Sequence, residues 1–478
     1  MGEKQRLVRK HTLNERLYEV AEKISPPFAI QMVIEGDGLL IESVFRKAVT
    51  ELSTLIPAMC YQSRAGAWYE MKKQPEVVIH TAQFTPAHLS SVCKSKFQGE
   101  ESGSCEFHLF QGASSTLLIR VVHRLMDGEG VLIMMRMLFQ LLNQQKAEAF
   151  RDYPKDETYR QGLKVKAVKD RDSFAFRFKA LQNQKLLSGD YQFGLVSNSH
   201  QISQVISKLA AWYVEQTSAS ARFLIPVNAR RHNANTRTVA NLSFPIYLDA
   251  LENEHADDLH AKLLTDLSEN NELAPEQFES ISKYAPVSLL STLFKQGIKR
   301  TQTNGKFPLS GYLSDLGYID LDQFATPDFT STNMFSLPVF VPLAPFCAIM
   351  CTHKNGTRIG ISVPTEFDLK KMEQSMLETL ETFQAETIKP EGVKLSALAQ
   401  QIRFIWAELL SKEEGQIGIF DTYSELGGTS LNLLFLIDKV EKEIIGRQQN
   451  ELMPHVVILG GKLTIAKLEE IILNLPPS

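Results

Sequence analysis

The sequence predicts an α/β (α+β) body in two halves, followed by a small all-helical bundle. Three observations lead there. An alternation of apolar strand, turn and helix runs over residues 29–142 and returns after residue 200. A polar stretch carrying Pro390 and Gly392, ETIKPEGVKL (386–395), then interrupts the pattern. Beyond it, residues 396–478 hold 7 Lys+Arg against 11 Asp+Glu, which leaves the first 395 residues neutral and marks the tail as an acidic module of its own. The predicted divisions are a first half over 1–165, a second over 166–388, a linker at 389–395 and the bundle at 396–478.

In the first half, AIQMVIEG reads as a strand and LIESVFRKAVTELSTLIP as a helix, with Val44, Ala48, Leu52 and Leu55 at helical spacing and Pro57 as its stop. EVVIHTAQF and CEFHLFQ are short β-rich segments, and SSTLLIRVVH (114–123) is β-branched and apolar enough for a central strand. A turn, RLMDGEG, leads into VLIMMRMLFQLLNQ, apolar nearly all round and therefore a buried helix. Residues 143–200 read as a polar, irregular connector with one helix.

The second half runs through a helix (ISQVISKLAAWYVEQ), a strand (ARFLIPVNAR), a basic loop (RHNANTR) and another strand (ANLSFPIYLD). PLSGYLSDLGYIDLDQF, MFSLPVFVPLAP, CAIMCTHKNG and RIGISVPTEF follow as strands and turns, and DLKKMEQSMLETLETFQAE as an amphipathic helix. In the tail, SALAQQIRFIWAELLSK, TSLNLLFLIDKVEKEII and TIAKLEEIIL read as helices separated by loops.

Composition excludes several classes. With 44% hydrophobic and 22% charged residues the chain is globular rather than disordered or fibrous. A net charge of −4 supplies no basic field for nucleic acid. The longest apolar run, Val131 to Leu142, is broken by Arg136 and Gln140, so no membrane span is expected. The opening MGEKQRLVRKHTLNE lacks the apolar core of a secretory signal, and Arg6 stands where a myristoylation motif needs Ser or Thr. Five cysteines (60, 93, 105, 347 and 351) form no dense framework, which suits a reducing cytoplasm. GxSxG, HExxH and GxxxxGK[ST] are absent, so a nucleophile-elbow hydrolase, a zincin and a Walker ATPase have no support.

Two constellations carry chemistry. His123-Arg124-Leu125-Met126-Asp127-Gly128 sits where a buried strand gives way to a buried helix, so its side chains project at a sheet end. A histidine there can act as general base, taking a proton from an amine or hydroxyl that attacks an acyl carbon. Asp127 can brace the turn, and Gly128 lets the backbone bend or a substrate approach closely; the same hexapeptide is also compatible with an ordinary Asp-Gly turn. The second constellation is Leu426-Gly427-Gly428-Thr429-Ser430-Leu431. It reads either as an N-cap serving free amides or as an anchoring site at a helix N-terminus, where a phosphodiester is electrostatically favoured.

HRLMDG, placed after LLIRVV and before an apolar helix, resembles the HxxxDG motif of nonribosomal peptide synthetase condensation domains. Their superfamily includes chloramphenicol acetyltransferase, carnitine acyltransferases and alcohol acyltransferases. The resemblance covers residues 8–385, supported by KHTLNERLYEV, by PVNARR followed by VANLSFPIYLD, and by SDLGYID. It implies two acetyltransferase-like halves in a V-shaped pseudo-dimer, with a tunnel that thioesters enter from opposite faces. It implies further that His123 is the catalytic histidine, Asp127 the structural aspartate, and Arg230 the arginine paired with it. The chain departs from the pattern at Val122, where peptide-forming members carry a first histidine, at Val239-Ala240-Asn241 in place of Ala-Gly-Asn, and at Asp315 in place of Asn.

The tail, with IWAELL, IGIFDTYSELGGTSL and LLFLIDKVEKE in that order, closely resembles carrier proteins of peptide and polyketide synthases over 396–475. That likeness implies a four-helix bundle with 4′-phosphopantetheine attached to Ser430. The partners it implies are a phosphopantetheinyl transferase, an adenylation or other acyl-loading enzyme in trans, and further synthetase carrier domains. Together the resemblances imply a condensation-type acyltransferase forming an amide or ester from a carrier-bound thioester in nonribosomal peptide or polyketide-type secondary metabolism. The alternatives are a catalytically inactive docking module presenting a carrier-bound intermediate, which Val122 motivates, and an acyltransferase using acyl coenzyme A. No metal site is expected: Cys347, Cys351 and His353 fall in a strand without a fourth ligand. The basic loop RRHNANTR (230–237) either touches a phosphate or is a solvated turn, and LGGKL (459–463) lacks a serine and so reads as a plain loop.

Overall fold

The computed structural model describes residues 6–71, 74–97, 104–150, 190–233, 237–274, 285–304, 307–382, 395–410, 412–423, 426–428, 430–446, 451–459 and 463–475. The 165/166 division, most of the 143–200 connector, the linker over 389–394, Thr429, residues 234–236 of the basic loop and residues 460–462 of LGGKL lie outside these. The first stretch comprises β1 (Arg6–Lys10), α1 (Leu13–Ile24), β2 (Ala29–Gly38), α2 (Glu42–Leu55), β3 (Tyr61–Arg64), β4 (Ala67–Glu70), β5 (Glu76–His80), α3 (Pro86–Ser91), β6 (Cys105–Gln111), β7 (Ser115–Val122) and α4 (Gly128–Leu142). The second comprises β8 (Tyr191–Asn198), α5 (Val205–Thr217), β9 (Ala221–Asn228), β10 (Ser243–Ala250), α6 (Ala256–Ser268), α7 (Val287–Asn304), β11 (Gly311–Tyr318), β12 (Phe329–Leu337), β13 (Phe346–His353), β14 (Gly356–Pro364) and α8 (Leu369–Thr382). The tail holds α9 (Ala397–Leu410), α10 (Ser430–Val440), α11 (Met453–Leu459) and α12 (Ile465–Leu473).

Two mixed sheets form the body, and the chain crosses between them. The five-stranded sheet has the order β12-β2-β7-β6-β5, and the six-stranded sheet β10-β9-β11-β13-β14-β8. Thus β12, from the second half of the chain, completes the first sheet by pairing antiparallel with β2. A strand pattern specifies which residues alternate, but its partner is chosen by long-range packing, so this exchange was invisible in sequence. β7 is buried along its whole length, as its β-branched composition predicts, and α4 contributes its own Val131, Leu132, Met135, Leu138 and Phe139 to the core.

Several local readings are corrected. The buried stripe of α2 is Phe45, Ala48, Val49 and Leu52, while Val44 is exposed; the helix is rotated so that the aromatic, with more apolar surface, faces the core. Within the supposedly irregular 143–200 stretch, Tyr191–Asn198 forms the edge strand β8, held by β14. The small sheet β1-β4-β3 and helices α6 and α7 went unread in the sequence. In the tail, α11 fills what read as a loop, so the described residues carry four helices there around Trp406, Leu436, Val440 and Ile465. Leu264 of α6 belongs to that same cluster, and α6 packs against both α10 and α11, so the bundle sits on the body.

Candidate functional site

His123 follows directly on β7, and its surroundings come from both sheets. Its N–H donates to the Phe28 carbonyl at 3.1 Å. The ring lies against Tyr18, with centroids 4.5 Å apart, and is stacked on Phe28 at 5.8 Å. Asn241 donates its side-chain N–H to the His123 carbonyl at 2.7 Å. The imidazole lines a channel between the sheets, beside Gly128, Met32, Tyr312, Ser314, Leu316 and Val341. Burial lowers the His123 pKa, against its own carbonyl, Asp127 and the Met126 carbonyl, which favour the proton. The neutral, basic form therefore prevails at neutral pH.

The turn after His123 is locked. Asp127 is the N-cap of α4, and its Oδ1 accepts the Gly130 N–H at 2.7 Å. Its Oδ2 accepts from Leu242 N–H at 2.7 Å and from Arg230 Nη1 at 2.8 Å. Arg230 spends its other donors on Asn228 Oδ1, the Thr238 carbonyl and the Ala240 carbonyl. Both members of the pair are nearly buried, so the arrangement clamps HRLMDG to the segment 238–242 of the other half. An antiparallel bridge between Met126 and Ala240 reinforces it. Gly130 is needed here, because a Cβ would stand 2.1 Å from the Val239 carbonyl oxygen. At Gly128 a Cβ would press on Leu316 at 2.7 Å, narrowing the channel next to the histidine. Arg124 turns away to pair with Glu22 at 3.2 Å.

Tyr18 and Asn241 were not read as site residues. Both lay inside segments already noted, Asn241 in VANLSFPIYLD and Tyr18 in KHTLNERLYEV, but neither was singled out there. Tyr18 arrives on α1, whose start is set by a reciprocal Thr12–Glu15 capping box. Asn241 and Tyr312 both hydrogen-bond the Tyr18 hydroxyl, whose pKa is raised by burial, so it remains a phenol and a donor. Asp315 lies on β11 between Ser314 and Leu316, which line the channel, and belongs instead to a second cleft behind the strand.

The second constellation is on the bundle. Gly427 adopts a left-handed conformation (φ +93°), and a Cβ at Gly428 would meet the Tyr423 ring at 2.3 Å, so this loop needs small residues at both positions. The Gly428 N–H donates to the Tyr423 carbonyl at 2.9 Å, and two residues later Ser430 opens α10. The Ser430 side chain lies outside the described residues. A loop without bulky side chains ending at the N-terminus of a helix is a fitting base for a phosphodiester.

The remaining candidates are absorbed into structure. Arg231 and His232 both pair with Glu272, and Arg237 pairs with Glu148, so these side chains of the basic loop already have carboxylate partners. Cys347 and Cys351 are buried in β13, and His353 Nε2 hydrogen-bonds Asn333 Oδ1 at 3.2 Å. Among the described residues no group of three or more His, Cys, Asp and Glu is placed to hold a metal ion, and no helix is long and apolar enough to cross a membrane.

No protein-family model matches the chain, and no curated protein matches it in sequence. Solved structures do match. The first condensation domain of the CDA synthetase is similar at TM-score 0.54 and 14% identity, over 81% of this chain and 99% of that one. The condensation domain from the Monacolin K polyketide synthase MokA gives 0.53 and 9%, over 79% and 98%. TRI101 of F. graminearum, solved with coenzyme A and T-2 mycotoxin, gives 0.51 and 13%, over 77% and 97%. The chain therefore has the mixed α/β fold of condensation domains and chloramphenicol-acetyltransferase-like acyltransferases.

Proposed function

We propose that the chain is a condensation-type acyltransferase that forms an amide or ester from a carrier-bound acyl thioester and bears its own carrier bundle. One observation carries this reading: a half-buried, neutral imidazole at a locked turn faces a channel between the two sheets. His123 takes the proton of the attacking amine or hydroxyl as the new bond to the acyl carbon forms, then returns it to the departing thiolate as the C–S bond breaks. Tyr18 is placed to donate a hydrogen bond to the oxygen that gathers negative charge, its hydroxyl oriented by Asn241 and Tyr312. Asp127, Gly128 and Arg230 hold the turn and leave room beside the ring without touching substrate.

Ser430 is the attachment site for 4′-phosphopantetheine in this reading, supported by the Gly427-Gly428 loop and the helix start that follows it. When bound, that group supplies a thiol for acyl attachment and a flexible reach. The partners are a phosphopantetheinyl transferase, an acyl-loading enzyme in trans and other synthetase carriers. The pathway is nonribosomal peptide or polyketide-type secondary metabolism, in the cytoplasm. The test loads the protein with acyl groups and candidate acceptors and follows transfer by intact mass. His123→Ala is expected to lose product by about 10²-fold or more while folding and Ser430 modification persist. A fully active His123→Ala protein overturns the role given to His123, and no transfer with any partner leaves the docking module.

A further inference from the structure

Behind β11, on the face away from the channel, the bundle and the body line a second, partly open cleft. From the bundle it is lined by Gly427 and Gly428, and from the body by Ser203, Gln204, Ser207, His260 and Asp315. Two helices begin at this cleft. The first is α5, whose N-cap Gln204 is left-handed (φ 52°) and makes no side-chain cap bond, so the first amides of α5 lack the usual acceptor. The second is α10, which starts at Ser430, two residues beyond Gly428 and so within about 7 Å of it along the chain. Two positive helix ends brought together favour an anion between them.

The side chains agree. Ser207 is fully buried in the first turn of α5, and its Oγ has no hydrogen-bond partner. His260, on α6, is 4% exposed, and its Nδ1 is likewise unpartnered. Both residues line the cleft, and buried polar atoms of this kind are costly unless something fills the site. Lys208, in the same turn, does not line the cleft but donates to the Oγ of Ser203, which does, at 3.3 Å, and so places a cation behind that wall. Two acidic groups face these residues. Asp257 acts on Lys208 and His260, and Asp315 lines the cleft with Oδ1 accepting the Gly317 N–H at 2.8 Å. Burial raises Asp315 to about 6, so its charge is given up readily when another anion enters.

We propose that this cleft is a phosphate-binding site, formed by the N-termini of α5 and α10 with Ser207, Lys208 and His260, which holds the phosphodiester of the group carried on Ser430 and keeps the bundle docked. The proposal rests on the carrier reading of Ser430. Docking through the phosphate would add to the packing of α6 against the bundle once the serine has been modified, distinguishing the loaded chain from the bare one.

Hydrogen exchange of the full chain, read by mass spectrometry, tests this. Bare protein, protein modified at Ser430 with coenzyme A and a phosphopantetheinyl transferase, and bare protein titrated with inorganic phosphate are compared. Amides over 204–208 are expected to exchange at least about tenfold more slowly in the modified protein and to respond to phosphate in the bare one. Ser207→Ala and Lys208→Met are each expected to abolish both effects while protection of β7 stays unchanged. A modified protein with unaltered exchange at 204–208 overturns the proposal, as does protection that survives both substitutions. If Ser430 takes no group yet phosphate protects 204–208, the carrier reading and the assignment to Ser430 are overturned and the cleft stands as a site for free phosphate.

Discussion

Replacing Asp127 with Asn tests the clamp that positions His123. The asparagine can retain the N-cap on Gly130, since Asn caps as well as Asp. The other carboxylate oxygen becomes an amide NH2 facing two donors, Arg230 Nη1 and the Leu242 N–H. It also leaves the Arg230 guanidinium, whose side chain is 9% exposed, without its counter-charge. Breaking a buried pair in this way costs about 3–5 kcal/mol. A loss of about 3 kcal/mol is therefore expected in the urea transition of the body, followed by tryptophan fluorescence. A double-mutant cycle separates charge from packing. Arg230→Met also strips donors from the Thr238 and Ala240 carbonyls, at about 1 kcal/mol each. Asp127→Asn combined with Arg230→Met should then cost at least about 2 kcal/mol less than the sum of the single variants, because the unpaired charge is gone. Additive losses, or a single-variant loss below about 1 kcal/mol, would refute the claim that this pair holds the turn.

Three further outcomes are expected. Gly130→Ala forces a Cβ against the Val239 carbonyl, a backbone atom that cannot rotate away, so a loss of about 1–3 kcal/mol and a fall in acyl transfer should appear together in thermal melts and turnover assays. Tyr18→Phe removes a donor while keeping the ring against His123; kcat should fall by about 10²-fold with KM little changed, and an unaltered kcat removes Tyr18 from the mechanism. Acid should destabilise the body well above the carboxylate range. Burial holds His260 at about 4, and burial with Arg358 holds His353 at about 4, both below the unfolded value of about 6.5. The unfolded chain then binds more protons between these limits, so this stability is complete above pH ~6.5 and is lost as pH falls through ~4. Urea midpoints at pH 7 and pH 5 in phosphate-free buffer check it, and a midpoint that does not fall at pH 5 contradicts the assignment. Glu19 acts lower. Its burial is outweighed by His11 and Lys23, which hold it at about 2, so its contribution is lost only below pH ~4.5.

Much of the architecture was legible because it rests on local periodicity. The β-branched run before His123 is a buried strand, the apolar stretch after Gly128 a buried helix, and the apolar spacing beyond residue 395 is helical. The order of residues also put His123 and Asp127 on one turn, since four positions along a tight loop cannot be far apart. What the order of residues could not decide is which distant segment meets that turn. Arg230 and Asn241 reach it from beyond a hundred residues away, Tyr18 from the first helix, and β12 leaves its own half to complete the first sheet. Which face of β11 sees the channel and which sees the bundle is likewise settled by how the sheet is covered on each side. Local dihedral preference and apolar spacing are properties of neighbours in the chain; pairing, burial and the fields that shift a titrating group are properties of neighbours in space, and only folding brings those together.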